Sequence, residues 1–138
     1  MTLIEFHAML GETIMYCQTI ENDLKWIYSF MKKGKVEDNF DSIDGRTLGQ
    51  VLKQLKELDR SDSKQYISSS DYNFLSQMTE KRNFWCHQAY TEFVYIEDFY
   101  NSKEYNNICS KLIRDHDKLA IVSKSVENVR LQALKDYR

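Results

Sequence analysis

The sequence predicts an all-α fold, an antiparallel four-helix bundle with up-and-down connectivity. Proline is absent and glycine occurs four times in 138 residues, so the chain lacks the residues that most often interrupt helices. Apolar residues recur at three- and four-residue steps along most of the chain. A chain of this length builds one hydrophobic core, and residues 1–138 are interpreted as a single helical domain.

The first predicted helix covers roughly residues 3 to 32. Thr2 and Glu5 have the spacing of a capping box at its start, and Gly34 follows its end, where a left-handed backbone is common. The stretch 35–45 is polar and lacks an apolar period. We therefore predict a loop there.

Three further helices complete the bundle. Thr47 and Gln50 form a second capping box, which predicts a helix over roughly residues 47 to 60. The serines at 68–70 favour the start of a third helix. We extend this helix through the aromatic segment 93–100, although its composition is also typical of a strand. A fourth helix follows Asn101 and continues to the C-terminus.

The third predicted helix has two contrasting faces, because each residue of an α-helix advances by about 100°. Its polar face carries Glu80, Arg82, Asn83, Cys86, His87 and Tyr90. Its opposite face carries the large apolar residues Phe74, Met78, Phe84 and Trp85. Asn83 and His87 are four residues apart, and Arg82 can reach towards the imidazole, so the three side chains can hold one phosphate between them.

The order Arg82, Asn83, three residues and His87, on the third helix of a four-helix bundle, resembles the defining motif of the HEPN superfamily. Other positions that resemble HEPN domains are Glu21, Leu24, Lys25, Leu48, Gly49, Glu80 and Lys81. The resemblance covers nearly the whole chain. It implies a metal-independent endoribonuclease that uses no cofactor, with Arg82, Asn83 and His87 as catalytic residues.

The chemistry of RNA cleavage suits these residue types. The ribose 2′-hydroxyl attacks the adjacent phosphorus, and an imidazole such as His87 can carry the protons because it titrates near neutrality. Arg82 would neutralise charge on the phosphate oxygens, and Asn83 would orient the phosphate or the imidazole. The sequence contains no His, Cys and carboxylate cluster at metal-ligand spacing. The expected products are a cyclic 2′,3′-phosphate and a 5′-hydroxyl.

The resemblance also implies a homodimer in which two third helices meet. The chain has 19 basic and 21 acidic residues, so an RNA substrate needs a local positive patch, which Lys81 and Arg82 of both chains would form. Glu80 and Lys81 are interpreted as supporting groups or as plain surface charges. Cys86 is interpreted as a small residue at the dimer face.

Tyr90 has two interpretations of equal weight. It stacks on an RNA base, or it is an interface aromatic. In HEPN toxins encoded with a nucleotidyltransferase antitoxin, a tyrosine two residues after the histidine is a modification target. Here Ala89 occupies that position, so modification of Tyr90 is left open.

The remaining features favour an intracellular protein. His7 and His116 lack reactive neighbours in the sequence and are interpreted as structural or solvated. The three cysteines form no disulfide or zinc pattern, which favours reduced thiols. The N-terminus lacks a signal-peptide pattern, and no apolar stretch approaches membrane-spanning length. We expect a cytoplasmic protein without membrane contact.

Three functions fit the sequence. The first is a toxin or abortive-infection endoribonuclease, restrained by an antitoxin of the nucleotidyltransferase type or another type. The second is a HEPN-like binding or assembly module without nuclease activity, within a defence or nucleotidyltransferase complex. The third is an unrelated four-helix bundle, which predicts that Arg82 and His87 face open solvent away from any cleft.

Overall fold

The computed structural model describes residues 1–61 and 63–137, and these residues contain no β-strand. Two short 3-10 segments lie at Tyr90–Glu92 and Phe99–Asn101. The α-helices of the described residues are α1 (Leu3–Met31), α2 (Val36–Asp44), α3 (Leu48–Ser61), α4 (Ser69–Ser76), α5 (Met78–His87) and α6 (Lys103–Tyr137). The all-α prediction is confirmed. Four helices were expected, and the described residues form six.

Three predicted helices agree with the structure. The helix predicted from 3 to 32 is α1, and Thr2 and Glu5 form its capping box. The helix predicted from 47 to 60 is α3. The C-terminal helix is α6. The local signals were sufficient in these cases, because a cap and a regular apolar stripe occur in the same segment.

The prediction of a loop over residues 35–45 is wrong, because α2 occupies most of it. Contacts with α1 stabilise this short helix. Asn39 is buried and donates to the main-chain oxygens of Ser29 and Lys32 at 3.1 and 3.0 Å. Phe40 stacks on Trp26 with ring centroids 4.1 Å apart. The partners of Asn39 and Phe40 lie in α1 or directly after it. The polar composition of residues 35–45 therefore did not reveal the helix.

The prediction of one continuous third helix is also wrong. The chain breaks at Gln77, between α4 and α5, and α5 ends at His87. The segment 93–100 is neither helix nor strand apart from its 3-10 turns. Phe93 is fully buried, with its ring 5.3 Å from Phe6 and 4.9 Å from Tyr105. Burial of this ring between α1 and α6 decides the path of the chain.

The core is organised around α1 and α6, which pack along each other. A large apolar cluster joins them to α2, α3 and α4, and a smaller aromatic cluster lies at the N-terminal end of α1. The buried members of the aromatic cluster are Phe6, Leu10, Trp85, Ala89, Phe93, Tyr105, Ile108, Cys109 and Leu112. Across the two described stretches of the chain, no helix combines the length and apolar character needed to cross a membrane.

Buried carboxylates fix the motif helix and the helix before it. Asp115 on α6 accepts hydrogen bonds from Trp85 Nε1 at 2.9 Å and from Lys81 Nζ at 3.1 Å, both on α5. Asp59 on α3 accepts a hydrogen bond from the Tyr72 hydroxyl on α4 at 2.6 Å. Each carboxylate is at least nine-tenths buried and is stabilised by its donors.

Candidate functional site

Helix α5 lies between α1 and α6 and presents its remaining face to solvent. Trp85 and Met78 are buried in the core. Arg82 reaches α1, and Lys81 reaches α6. The residues of α5 that are exposed on the outer surface are Glu80, Asn83, Cys86 and His87. Residues 80–87 therefore belong to one helix, but Arg82 turns towards α1 while Glu80, Asn83, Cys86 and His87 face outward.

Helix α5 runs antiparallel to α1. Arg82, in the middle of α5, contacts Glu21 in the second half of α1. Tyr90, just beyond the end of α5, contacts His7 near the start of α1.

Arg82 forms an ion pair with Glu21, whose side chain is 19% exposed. The pair borders a groove of about 470 Å³ between α1, α3 and α5. The groove is lined by Glu21, Lys25, Arg46, Thr47, Leu48, Gly49, Val51, Thr79 and Arg82. The third interpretation predicted that the face carrying Arg82 and His87 points to open solvent; Arg82 borders this groove, whereas His87 does not line it.

The charge of this groove is partly compensated within the chain. Lys25 forms an ion pair with Asp44 at 2.9 Å, and Glu21 pairs with Arg82. Arg46 is exposed and lies two residues before the start of α3. Three cations thus face two carboxylates, which leaves the groove with a small positive excess.

Asn83 and His87 point into solvent. Both residues are exposed, and neither side chain forms a hydrogen bond with any part of residues 1–61 or 63–137. His87 is the last residue of α5. The imidazole is therefore accessible to a ligand, as the sequence interpretation requires.

The supporting residues differ in their surroundings. Glu80 is exposed, whereas Lys81 is half-buried in its ion pair with Asp115. Lys81 and Arg82 are both paired with carboxylates of the same chain. The two cations therefore offer an external anion less free charge than the sequence suggests.

Tyr90 does not belong to the same helical surface as Arg82, because α5 ends before it. Its hydroxyl lies 2.5 Å from Nδ1 of His7, and its ring packs against Phe6 with centroids 5.5 Å apart. Burial raises the pKa of Tyr90 above its ordinary value. The interpretation of His7 as a residue without reactive neighbours is wrong. Its imidazole contacts the hydroxyl of Tyr90, which is 83 positions away in the sequence.

The two cysteines near the motif differ in exposure. Cys86 is exposed on α5, one turn after Arg82, and Cys17 is buried on α1, one turn before Glu21. Burial, followed by the negative charge of Glu21, raises the pKa of Cys17 to about 12. Cys17 is therefore a packing residue rather than a nucleophile.

His116 occupies a separate surface site. Its Nε2 lies 2.6 Å from Glu12 and its Nδ1 lies 3.0 Å from Asp117. Burial lowers the pKa of His116, but hydrogen bonds with Asp117 and Glu12 outweigh it and raise that pKa above its usual value. Among the described residues, no group of three or more His, Cys, Asp or Glu side chains is arranged to hold a metal ion.

Comparison with known proteins adds no assignment. No model of a known protein family matches the chain, and no match was found among curated proteins or among solved structures.

Proposed function

We propose that this chain is a metal-independent endoribonuclease of the HEPN type, in which Arg82, Asn83 and His87 act on one phosphodiester. The observation that carries the proposal is the exposure of Asn83 and His87 on the same helix as Arg82, which itself borders a groove. Unpaired polar side chains beside an arginine are suited to binding a phosphate.

The groove supports the proposal through the residues that line it. Glu21, Lys25, Leu48 and Gly49 were selected from the sequence by their resemblance to HEPN domains, and all four lie with Arg82 around this groove. Glu21 and Lys25 lie on α1, and Leu48 and Gly49 lie on α3. The four-helix core that the resemblance implies would consist of α1, α3, the α4 and α5 pair, and α6, with α2 as an addition.

Each side chain has a distinct role in this proposal. His87 carries a proton to or from the reacting oxygens, as an imidazole does near neutral pH. Arg82 stabilises the negative charge that develops on the phosphate oxygens. Asn83 orients the phosphate or the imidazole, while Glu80, Lys81 and Tyr90 support the RNA around it.

We further propose a homodimer in which the α5 helices of two chains meet, so that one cleft contains both copies of Arg82 and His87. The exposed face of α5 is available for such a contact. In the cell, the enzyme would act in the cytoplasm as a toxin or abortive-infection effector, inhibited by an antitoxin protein.

Cleavage of purified RNA in EDTA tests the catalytic proposal. Wild-type protein is expected to release fragments with cyclic 2′,3′-phosphate and 5′-hydroxyl ends. RNA with 2′-deoxy sugars lacks the nucleophile and is expected to remain intact. Arg82→Ala and His87→Ala are expected to lower the rate by at least about 100-fold. Arg114→Ala, at an exposed arginine of α6, is the matched control and is expected to keep full activity.

Intact RNA after prolonged incubation with wild-type protein would contradict the proposal, as would equal rates for the wild type and His87→Ala. For the toxin role, expression of the wild type is expected to slow growth and expression of His87→Ala is not. The mass of the protein in solution, measured by sedimentation, tests the dimer.

One observation favours a second candidate, a HEPN-like binding or assembly module without nuclease activity. Lys81 and Arg82 are both paired within the chain, as structural ion pairs are. A module of this kind would form the dimer, or bind its protein partner, and would cleave no RNA with or without that partner.

A further inference from the structure

A pocket of about 270 Å³ lies between the second half of α5, the 3-10 segment Tyr90–Glu92 and the N-terminal part of α6. It is lined by Phe84, Glu92, Glu104, Asn107, Ile108 and Lys111. Sites for drug-sized ligands have volumes of about 300–1,000 Å³, so this pocket is suited to a smaller group such as a single base.

Regular elements form the walls of the pocket. Glu104, Ile108 and Lys111 follow one another at steps of four and three residues, so they share one face of α6. The half-buried ring of Phe84, on α5, lies against this face, with the ammonium of Lys111 3.6 Å from the ring centroid. Glu92 reaches the pocket from the 3-10 segment that follows α5. The lining side chains are therefore held by elements that pack on one another.

The polar groups of the pocket include both acceptors and a cationic donor. The carboxylates of Glu92 and Glu104 accept hydrogen bonds, and the ammonium of Lys111 donates them. In the described part of the chain, neither glutamate forms an ion pair. Both carboxylates are therefore available to a ligand that carries N–H groups.

Guanine matches these groups better than the other bases. Its N1–H and N2–H₂ groups are adjacent donors for a carboxylate, and its O6 and N7 atoms are acceptors for an ammonium. Adenine and cytosine have an acceptor nitrogen beside the amino group, and uracil has one N–H between two carbonyl oxygens. None of these patterns offers a carboxylate two adjacent donors. The pocket contains two carboxylates and one ammonium, so it also disfavours a phosphate group.

Phe84 borders the exposed face that carries Asn83 and His87. All three residues lie within α5 (Met78–His87). At about 100° per residue, the direction of His87 falls between those of Phe84 and Asn83. Phe84 and His87 are three residues apart, so their β-carbons are about 5–6 Å from each other. One nucleotide can therefore place its base in the pocket and its phosphate at the imidazole.

We propose that this pocket holds a guanine base of the RNA, next to the phosphodiester bound at His87. The inference rests on the proposed endoribonuclease function and gives that function a base preference. Glu92 and Glu104 bind the N–H groups of the base, Lys111 binds its acceptor atoms, and Phe84 packs against its ring. These residues determine specificity, and none of them transfers a proton in the reaction.

Binding of RNA that cannot be cleaved tests the pocket separately from catalysis. The probes are labelled 2′-O-methyl oligonucleotides of adenine with one central guanine, inosine or adenine, and fluorescence anisotropy gives their affinities. Wild-type protein is expected to bind the guanine probe at least about 10-fold more tightly than the adenine probe. Inosine lacks the N2 amino group, so its affinity is expected to lie between the two. This comparison needs no variant.

Substitution of both carboxylates tests their part in the preference. Glu92→Gln combined with Glu104→Gln is expected to reduce the ratio of guanine to adenine affinities to less than about 3-fold. Glu97→Gln, at an exposed glutamate outside the pocket, is the matched control and is expected to keep the wild-type ratio. A thermal melt of the double variant close to that of wild type shows that a lost preference does not reflect unfolding.

Cleavage of a mixed-sequence RNA provides the second measurement. Fragment ends produced by wild-type protein are expected to show guanosine at one fixed position beside the cleaved bond. The double glutamine variant is expected to cleave without this bias.

The outcomes separate this inference from the function on which it rests. Cleavage without a guanine bias, together with equal affinities for the guanine and adenine probes, would overturn the pocket assignment and leave the nuclease proposal intact. A guanine preference in binding with no cleavage of any RNA would support the pocket and contradict the nuclease proposal. Binding of arginine amide in preference to the guanine probe would assign the pocket to a basic side chain of a protein partner, which would also overturn the inference.

Discussion

The guanidinium of Arg82 on α5 forms an ion pair with the carboxylate of Glu21 on α1, at the edge of the groove between α1, α3 and α5. Neither side chain is fully buried, with 31% and 19% of their surfaces exposed. The pair holds the guanidinium at the edge of this groove, and it also competes with any phosphate for the guanidinium. Glu21 therefore both positions and restrains the principal cation of the candidate site.

Glu21→Gln tests this double role, because the amide keeps the shape of the side chain and removes its charge. The free energy of unfolding is expected to fall by about 1 kcal/mol or less, as for other partly exposed ion pairs. RNA binding is expected to strengthen, since the phosphate no longer displaces a carboxylate. Urea denaturation and fluorescence anisotropy with a labelled RNA measure the two effects. Weaker binding than wild type would contradict the competition between Glu21 and phosphate.

Asp115 is expected to be among the most sensitive polar residues of the chain. Asp115→Ala removes the acceptor of the buried Trp85 indole and the partner of Lys81, and the loss is expected to be about 2–4 kcal/mol in the free energy of unfolding. Asp117→Ala, on the same helix but exposed, is the control and should cost about 0.5 kcal/mol or less. Equal effects of the two substitutions would show that the network around Trp85 contributes little.

The thiols are expected to differ strongly in reactivity. In the native protein, one thiol, Cys86, should react quickly with a disulfide reagent such as DTNB, while Cys17 and Cys109 are buried. The raised pKa of Cys17 adds to its protection, because the thiolate is the reactive form. In denaturant all three cysteines should react. Cys86→Ser is expected to remove the fast phase, and a persistent fast phase in that variant would contradict the assignment.

The site of His116 is expected to make stability depend on pH. The folded-state pKa of His116 is raised, so its stabilising contribution is fully present below the unfolded-state value of about 6.5 and is lost as pH rises through the folded-state pKa. Glu12→Gln should therefore lower the free energy of unfolding by about 0.5 kcal/mol at pH 6 and by less at pH 9.

The control for this pH dependence is the exposed pair of Lys124 and Glu127 on α6. This pair contains no histidine, so any effect of Glu127→Gln should be the same at pH 6 and pH 9. Urea denaturation at each pH provides the measurement. A Glu12→Gln effect as large at pH 9 as at pH 6 would show that protonated His116 is not the partner.

The sequence alone determined the helical class and the three helices with caps and regular apolar stripes, α1, α3 and α6. It also identified residues 80–87 as helical and as polar on one side, because a helix of known period fixes the directions in which neighbouring side chains leave it. These are local properties, and the residues that decide them lie within a few positions of one another.

The tertiary structure decided the rest, because the interactions involved join distant parts of the chain. Burial of Asn39 and stacking of Phe40 against α1 made α2 a helix, and burial of Phe93 ended α5 where composition allowed it to continue. The partners of Arg82 and Tyr90 are Glu21 and His7, each more than 60 positions away. Periodicity reports which side of a helix is polar, but which charge or ring meets that side depends on how the helices pack.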